Sequence, residues 1–520
     1  MKNASSELSA VIIGLSTLIC IIFALRANDI LPSAILAQLS ATEHFTSGFG
    51  FDMPDNEQPL LLNMYKQNLN VDFALFNLVQ TLKYKVFKPI QRGIFSNTGF
   101  GWQSQGASLT PVIIIPGLGE TKVLATWNKS GAEDSKNVKS LDLYQNFENA
   151  NDWSCRTMQM NWSTIWYPEE ELNGNIETKG LAQFCWADNI RVNYDPETNT
   201  MTNAAGVKTI TSDIGNVEFV SKSYMAQLVH ALESAGYRKG STLFGASYDF
   251  RKICNNSTLR EYCIGLVNLI EQSVRSNNGQ KAVLVTHNLG SQLANYFLTG
   301  MPQEWKNTYI KSFICLSGTF GGCPKALRTL LSGTDLSNLQ EKNVLREVCK
   351  NFNGIQWMLP SPIVYGDTPL VEFKRVKYSA KDIPELLRLA GYNDSLAIYE
   401  NIVKPVQLRS MQAPNVTTYV FAGNNLPTES SYTYEKSLTD SPQKNYPNYN
   451  TQLPYRNDFN YPQQFTGDGT MPRFALEFPM QWTKYQKEPV YYRFYNQMEH
   501  MDILSSEEPI KDLLSLVIDY

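Results

Sequence analysis

From Thr110 onward, short and continuously apolar runs alternate with longer segments whose apolar residues recur at helical spacing. Six of these runs are strand candidates: Pro111–Ile115, Thr242–Ala246, Ala282–Val285, Phe313–Leu316, Thr418–Ala422 and Val490–Tyr495. Runs that are apolar on both faces are typical of a parallel sheet covered by helices. The pattern therefore predicts an α/β domain over residues 109–520, with functional residues on loops beyond the carboxyl ends of the strands. The polar, Tyr/Asn/Pro-rich stretch Tyr432–Gln464 is predicted to be a long loop.

The N-terminal segment shows a different pattern. Residues Leu8–Leu25 contain no charge, and as a helix they would span about 27 Å, close to the hydrocarbon core of a bilayer. This run predicts a transmembrane anchor within residues 1–29, with a cleaved signal peptide as the alternative. The following residues, 30–108, are predicted to form a helical membrane-proximal region, because apolar positions recur at helical spacing across Leu60–Val86. A packed amphipathic helix is expected there, with a membrane-facing one as the alternative.

Composition narrows the classes of function. The chain has 520 residues, of which 43% are hydrophobic and 18% charged, as expected for a folded protein. Its net charge of −4 gives no global basic field, so a nucleic-acid partner is not expected. Four histidines and the lack of a CxxC pair offer few ligands for zinc, and we expect neither a metal nor another cofactor.

The segment Thr286–Gly290, with sequence THNLG, is the first candidate catalytic motif. It follows the strand candidate Ala282–Val285 and precedes an amphipathic segment that ends at Gly300. A strand, a sharp turn and a helix form the setting of a nucleophile elbow, G-x-S-x-G. Asn288 occupies the Ser position of that motif, Thr286 occupies the first Gly position, and Gly290 is the second Gly. Because strand and helix backbones approach closely there, the flanking positions require small residues, and Thr286 is interpreted as a second departure from the motif.

Other parts of an α/β-hydrolase site follow in the expected order. The loop Pro116–Gly119 comes directly after the first core strand, where a backbone amide can join an oxyanion hole. Asp468 lies in the turn Gly467–Thr470, and His500 follows the last strand candidate. The order of nucleophile position, acid and histidine matches that fold class.

With these motifs the sequence resembles the family of lecithin:cholesterol acyltransferases, phospholipid:diacylglycerol acyltransferases and lysosomal phospholipase A2. The resemblance covers roughly residues 108–510. The motifs on which it rests are PVIIIPGLG, Ser247–Arg251 (SYDFR), THNLG, Gly318–Gly322 with the following Pro324, Gln356–Pro360 (QWMLP), GDGT, and HMDIL from His500. The resemblance implies an α/β-hydrolase fold with lid and cap insertions, the lid at about residues 128–190 and the cap over the acyl pocket at about residues 323–410.

The same resemblance implies roles for individual residues. Asp468 and His500 match the catalytic acid and base, and the amides of Leu118 and Leu289 match the oxyanion hole. Trp153 and Trp186, with Cys155 and Cys185, resemble a disulfide-tethered lid that contacts the bilayer and an acyl chain.

Two features favour an oxidising lumen for the main domain. Asn-x-Ser/Thr sequons occur at Asn128, Asn161, Asn255, Asn256, Asn393 and Asn415. Seven cysteines lie beyond the N-terminal apolar run, and Cys315 is predicted to be a buried thiol. The pairs that remain plausible are Cys155–Cys185, Cys254–Cys263 and Cys323–Cys349, although sequence does not fix the connectivity.

The Asn at the nucleophile position is the residue on which the prediction of catalytic activity depends. Acyl transfer requires a hydroxyl that His500 can deprotonate, and an amide nitrogen, delocalised into its carbonyl, is no such nucleophile. Ser247 and Ser291 do not lie at the apex of the turn. Deamidation of Asn288 would supply a carboxylate, but the bulky Leu289 that follows slows this reaction. A substitution made to trap a substrate is a further alternative, which would leave Thr286 unexplained.

Two hypotheses follow. In the first, the chain is a catalytically degenerate, membrane-anchored protein that acts as a scaffold, a lipid-binding module or an accessory subunit of a membrane complex. Its partner would be a membrane phospholipid or acyl chain. In the second, it is an active phospholipid O-acyltransferase or phospholipase with an unforeseen nucleophile. The main domain is expected in a lumen or outside the cell, with an organelle inner membrane, including the mitochondrial one, as the alternative location.

Overall fold

The computed structural model describes residues 109–121, 123–128, 160–164, 186–211, 214–217, 225–333, 342–438, 448–449 and 466–518. These residues all belong to the compact unit Ser96–Tyr520. The predicted anchor, the membrane-proximal region, Trp153, Cys155 and Cys185 lie outside the described residues. Among the residues that are described, no helix combines the length and the apolar character needed to cross a membrane.

The strands and helices have the following bounds. The strands are β1 Val112–Ile115, β2 Leu124–Trp127, β3 Met160–Thr164, β4 Val192–Asp195, β5 Thr200–Asn203, β6 Val207–Ile210, β7 Leu243–Gly245, β8 Ala282–His287, β9 Ile310–Leu316, β10 Val371–Phe373, β11 Val376–Tyr378, β12 Thr418–Asn424, β13 Leu426–Pro427, β14 Tyr432–Tyr434, β15 Asn448–Tyr449, β16 Thr466–Gly467 and β17 Val490–Asn496. The α-helices are α1 Ala226–Ser234, α2 Asn256–Ser276, α3 Leu289–Gly300, α4 Gln303–Tyr309, α5 Pro324–Ser332, α6 Lys342–Cys349, α7 Asn353–Trp357, α8 Pro362–Tyr365, α9 Ile383–Leu389, α10 Asn393–Ile398, α11 Lys404–Ser410, α12 Arg473–Leu476 and α13 Glu507–Val517.

A six-stranded parallel sheet forms the centre of the domain, in the order β17-β12-β9-β8-β1-β7. Each of the six predicted strands is a strand of this sheet. The sheet is buried because helices cover it: Leu228 and Leu232 of α1 and Leu513 of α13 share one core cluster with Val112 and Val283 of the central strands. A mostly parallel sheet flanked by helices fits the predicted α/β-hydrolase fold.

The long connection between β9 and β12 carries helices α5 to α11 and the hairpin of β10 and β11. This hairpin belongs to a second sheet with the order β11-β10-β14-β15. The prediction of a continuous loop over Tyr432–Gln464 was therefore wrong at β14 and β15. Tyr432 and Tyr434 are buried, and their strand, β14, pairs with β10, which lies more than 50 residues earlier in the chain. That pairing has no local signal in the sequence.

The predicted disulfides Cys254–Cys263 and Cys323–Cys349 are not formed, and all four residues are free thiols. Helix α2 begins at Asn256 and carries Cys263, so the chain advances about 10 Å along the helix between them, beyond the Cα separation that a disulfide spans. Cys323 and Cys349 are buried, and burial raises the pKa of the Cys323 thiol to about 11. Cys315 is buried and free, as predicted.

Candidate active site

Asn288 lies at the apex of a sharp turn between β8 and α3. Its backbone has φ 51° and ψ −125°, a conformation that costs a residue with a side chain roughly 1–3 kcal/mol. The turn is tight because Gly290 lets α3 approach the first strand: a Cβ at Gly290 would lie 2.4 Å from the carbonyl oxygen of Pro116 and 2.5 Å from that of Ile115. The strained geometry of a nucleophile elbow is therefore present, although its apex holds Asn.

The side-chain oxygen of Asn288 accepts hydrogen bonds from both amides that are predicted to form the oxyanion hole. Its Oδ1 accepts hydrogen bonds from the backbone N–H of Leu289 at 2.7 Å and from that of Leu118 at 3.2 Å. These are the two amides that the sequence predicts for the oxyanion hole. The loop of Leu118 comes this close because Gly117 has no Cβ, which would lie 2.9 Å from the Cβ of Asn288.

The side-chain nitrogen of Asn288 contacts the histidine. Its Nδ2 lies 2.8 Å from Nε2 of His500, and Nδ1 of His500 lies 2.7 Å from Oδ2 of Asp468. The two N–H donors at Oδ1 fix the orientation of the amide, so Nδ2 donates to Nε2. His500 then carries its proton on Nδ1 and donates it to Asp468, which is the tautomer of a histidine ready to accept a proton at Nε2.

Hydrogen bonds from the backbone fix the carboxylate of Asp468 beside His500. The other carboxylate oxygen, Oδ1, accepts hydrogen bonds from the backbone N–H groups of Met471 at 2.7 Å and Thr470 at 3.0 Å. The N–H of His500 donates to the carbonyl oxygen of Asp468 at 2.8 Å. The side chain of Asp468 is fully buried. Asp468 and His500 are thus hydrogen-bonded as in the acid–base pair of a triad, and the group that is missing is a hydroxyl beside Nε2 of His500.

Thr286 fits the turn, contrary to the expectation that its side chain departs from what an elbow tolerates. Its hydroxyl lies 2.8 Å from Oγ of Ser291 and donates to the carbonyl oxygen of Ile314 at 3.2 Å. The close backbone approach occurs at Gly290 rather than here. Thr286 is therefore a buried, hydrogen-bonded residue and not a second defect of the site.

The two alternative serines lie away from the apex. Ser291 is fully buried, and its hydroxyl is engaged by Thr286. Ser247 is buried just after β7, and β7 is separated from β8 by β1, a displacement of about 10 Å across two strand spacings. Of the predicted lid tryptophans, Trp186 is described and is buried, with 5% of its surface exposed.

His287 supports the site and was not among the predicted residues. Its Nε2 donates to the carbonyl oxygen of His500 at 3.1 Å, and the two ring centroids are 4.9 Å apart. Burial, and to a lesser degree repulsion from His500, holds the pKa of His287 well below its ordinary value of 6.5. The neutral ring thus fixes the loop that carries His500. Its place directly before the nucleophile position is the signal that could have identified it.

This burial predicts a specific acid sensitivity. Between pH 6.5 and the lower pKa of the folded state, the unfolded chain protonates His287 while the folded chain does not. The free energy of unfolding therefore falls as the pH decreases through this range, by at most about 1.4 kcal/mol per pH unit from this residue. The check is urea unfolding of the wild type and of His287→Gln, which keeps a donor at this position, from neutral to acidic pH. The variant should show a shallower decline, and equal slopes would contradict this explanation.

The chain is similar to a known protein family and to several of its members. The family model of lecithin:cholesterol acyltransferase matches residues 163–387 and 392–507, more than half of the chain. Phosphatidylcholine-sterol acyltransferase of Gallus gallus is 28% identical over 366 residues, which are 68% of this chain and 82% of that protein.

Two further relatives agree with this match. Lecithin-cholesterol acyltransferase-like 1 of Oryza sativa subsp. japonica is 28% identical over 63% of this chain and 72% of that protein. Lysosomal phospholipase A and acyltransferase of Bos taurus is 27% identical over 62% of this chain and 76% of that protein. The family model covers most of the α/β domain. The chain therefore belongs to the lecithin:cholesterol acyltransferase family.

Proposed function

We propose that this chain is a catalytically degenerate member of its family that binds a membrane phospholipid or acyl chain without transferring the acyl group. The observation that carries the proposal is the position of Asn288. Its amide nitrogen bonds to His500 where a serine hydroxyl would donate, and its amide oxygen takes both donors of the oxyanion hole. One residue thus removes the hydroxyl nucleophile and also fills the place of the substrate carbonyl oxygen.

The rest of the proposal follows from the family and the sequence. Lipid substrates fit the lecithin:cholesterol acyltransferase family, and the domain keeps the fold around the Asp468–His500 pair. We propose that the apolar run Leu8–Leu25 anchors the chain in a membrane, with the main domain in a lumen or outside the cell. The argument for an oxidising compartment from disulfides does not extend to Cys254, Cys263, Cys323 and Cys349, because these four are free thiols. A role as scaffold or as accessory subunit of a membrane complex belongs to the same proposal.

The alternative is an active phospholipid acyltransferase or phospholipase with another nucleophile. It has less support, because the hydroxyl of Ser291 is bonded to Thr286 and Ser247 lies two strands from the apex. Neither serine replaces the missing group beside Nε2 of His500.

The degenerate and the active alternatives predict different amounts of fatty acid released from phospholipid vesicles. We expect the purified chain to retain phospholipid, detected by mass spectrometry of its organic extract, and to release no fatty acid from phosphatidylcholine vesicles above the level of buffer. The control is His500→Ala, which should behave like the wild type in both measurements. Fatty-acid release that His500→Ala abolishes would refute the proposal of degeneracy, and an extract free of lipid would refute lipid binding.

A further inference from the structure

The side chain of Asn288 is held as a hydrolase holds the amide that it cleaves. Its carbonyl oxygen accepts from two backbone N–H groups, those of Leu289 and Leu118. Its nitrogen, the leaving group of an amide hydrolysis, lies 2.8 Å from Nε2 of His500. The oxyanion donors polarise the carbonyl, and the His500–Asp468 pair stands beside the nitrogen that must be protonated before it departs.

We propose that Asn288 is a self-modification site, at which the His500–Asp468 pair hydrolyses the side-chain amide to aspartate. The co-reactant is one water molecule. Nε2 of His500 first releases the hydrogen bond from Nδ2 and takes a proton from this water. The water oxygen attacks Cγ of Asn288, and the electron pair of the C=O bond moves to Oδ1, where the Leu118 and Leu289 N–H groups stabilise it.

The second half of the step restores the imidazole. The electron pair on Oδ1 re-forms the C=O bond, the bond from Cγ to Nδ2 breaks, and His500 returns its proton to the departing nitrogen. The new carboxyl group gives its proton to the ammonia. One amide and one water thus become one carboxylate and one ammonium ion, with no change of oxidation state.

The common route to deamidation is closed at this position. In that route the backbone nitrogen of the following residue attacks Cγ and forms a succinimide, which opens to a mixture containing isoaspartate. Here the N–H of Leu289 donates to Oδ1, so its hydrogen faces the side-chain amide, and Leu289 is fully buried at the start of α3. Conversion at Asn288 therefore yields aspartate without isoaspartate.

The product is stabilised where it forms. A carboxylate at position 288 keeps the two N–H donors of the oxyanion hole, and hydrogen bonds to the charged form favour the ionised acid. The reaction requires neither lipid nor membrane, so its outcome is independent of the lipid binding proposed above. It takes place once in each chain.

The chain contains a matched control for this chemistry. Asn425 is also followed by Leu and also has a positive φ, 63° against 51° at Asn288. Asn425 is exposed, and its Nδ2 donates to Oδ1 of Asn496 rather than to a histidine. The two sites thus share the following Leu and a positive φ but differ in their access to the His500–Asp468 pair.

The experiment follows both sites by peptide mass spectrometry while the full chain is incubated in heavy-oxygen water near neutral pH. We expect Asn288 to gain labelled aspartate about a hundredfold faster than Asn425, the scale of general acid–base catalysis, with no isoaspartate in its peptide. The variants His500→Gln and Asp468→Asn should reduce the rate at Asn288 to that at Asn425.

Several results would overturn the proposal: equal rates at the two asparagines, isoaspartate at position 288, or an Asn288 rate that is unchanged in His500→Gln. The rate ratio and the isoaspartate content are measured on the wild-type chain alone, so they decide the matter even if a variant fails to fold.

Discussion

The Asn288→Ser variant should hydrolyse a short-chain carboxylic ester, whereas the wild-type chain should not. A serine at the apex places a hydroxyl beside Nε2 of His500, which is already in the tautomer that accepts a proton. Because serine is shorter than asparagine, the amides of Leu118 and Leu289 also become available to a substrate carbonyl. Removing the nucleophile of a well-studied serine protease costs about 10⁶-fold in kcat, and we expect the substitution to recover at least about a thousandfold.

Steady-state hydrolysis of a chromogenic ester measures this effect, with two control variants. Asn288→Ala opens the oxyanion hole without adding a nucleophile and should remain inactive. Asn288→Ser/Thr286→Gly should be no more active than Asn288→Ser, since Thr286 is accommodated by its hydrogen bonds to Ser291 and Ile314. Equal rates for Asn288→Ser and Asn288→Ala would show that more than the nucleophile has been lost.

The Gly290→Ala variant should lose the fold of the elbow. Its Cβ would lie 2.4 Å and 2.5 Å from two backbone carbonyl oxygens, those of Pro116 and Ile115, and backbone cannot move aside as a side-chain end can. Overpacking of a core costs about 1–3 kcal/mol and occasionally more. We expect a loss of about 3 kcal/mol or more, measured as the free energy of unfolding in urea.

Gly300→Ala is the matched control, because Gly300 is the last residue of the same helix, α3. The atom closest to a Cβ there is Nη2 of Arg409, the far end of a flexible side chain. That variant should stay within about 1 kcal/mol of the wild type, the scale of the Gly-to-Ala helix propensity difference. Similar losses for the two variants would contradict the close approach of α3 to the oxyanion loop.

The sequence was most informative where one element carries its own pattern. The six core strands are continuous apolar runs, and burial on both faces of a parallel sheet is what produces such runs. Asn288, Gly290 and His500 could be placed for the same reason, since each follows directly after a predicted strand. The amide of Leu118 was found through its loop, although its distance to Asn288 depends on Gly117 and on the tertiary fold.

What the sequence did not indicate depends on contacts between distant segments. Strand β14 pairs with β10, a strand more than 50 residues earlier in the chain. Cys254 and Cys263 are near in sequence, but the helix that carries Cys263 moves it away. Thr286 was interpreted as a defect from the elbow pattern, whereas its hydroxyl is satisfied by Ser291 and by a carbonyl on the neighbouring strand β9.

The central claim is that the wild-type site has no hydroxyl nucleophile, and the most direct test is covalent labelling. The wild-type chain and Asn288→Ser are incubated with a fluorophosphonate, and intact mass spectrometry counts the adducts on each. We predict one adduct on Asn288→Ser, abolished by His500→Ala in the same background, and no adduct on the wild type. A His500-dependent adduct on the wild-type chain would contradict the account and would identify, by peptide mapping, the residue that replaces the missing serine.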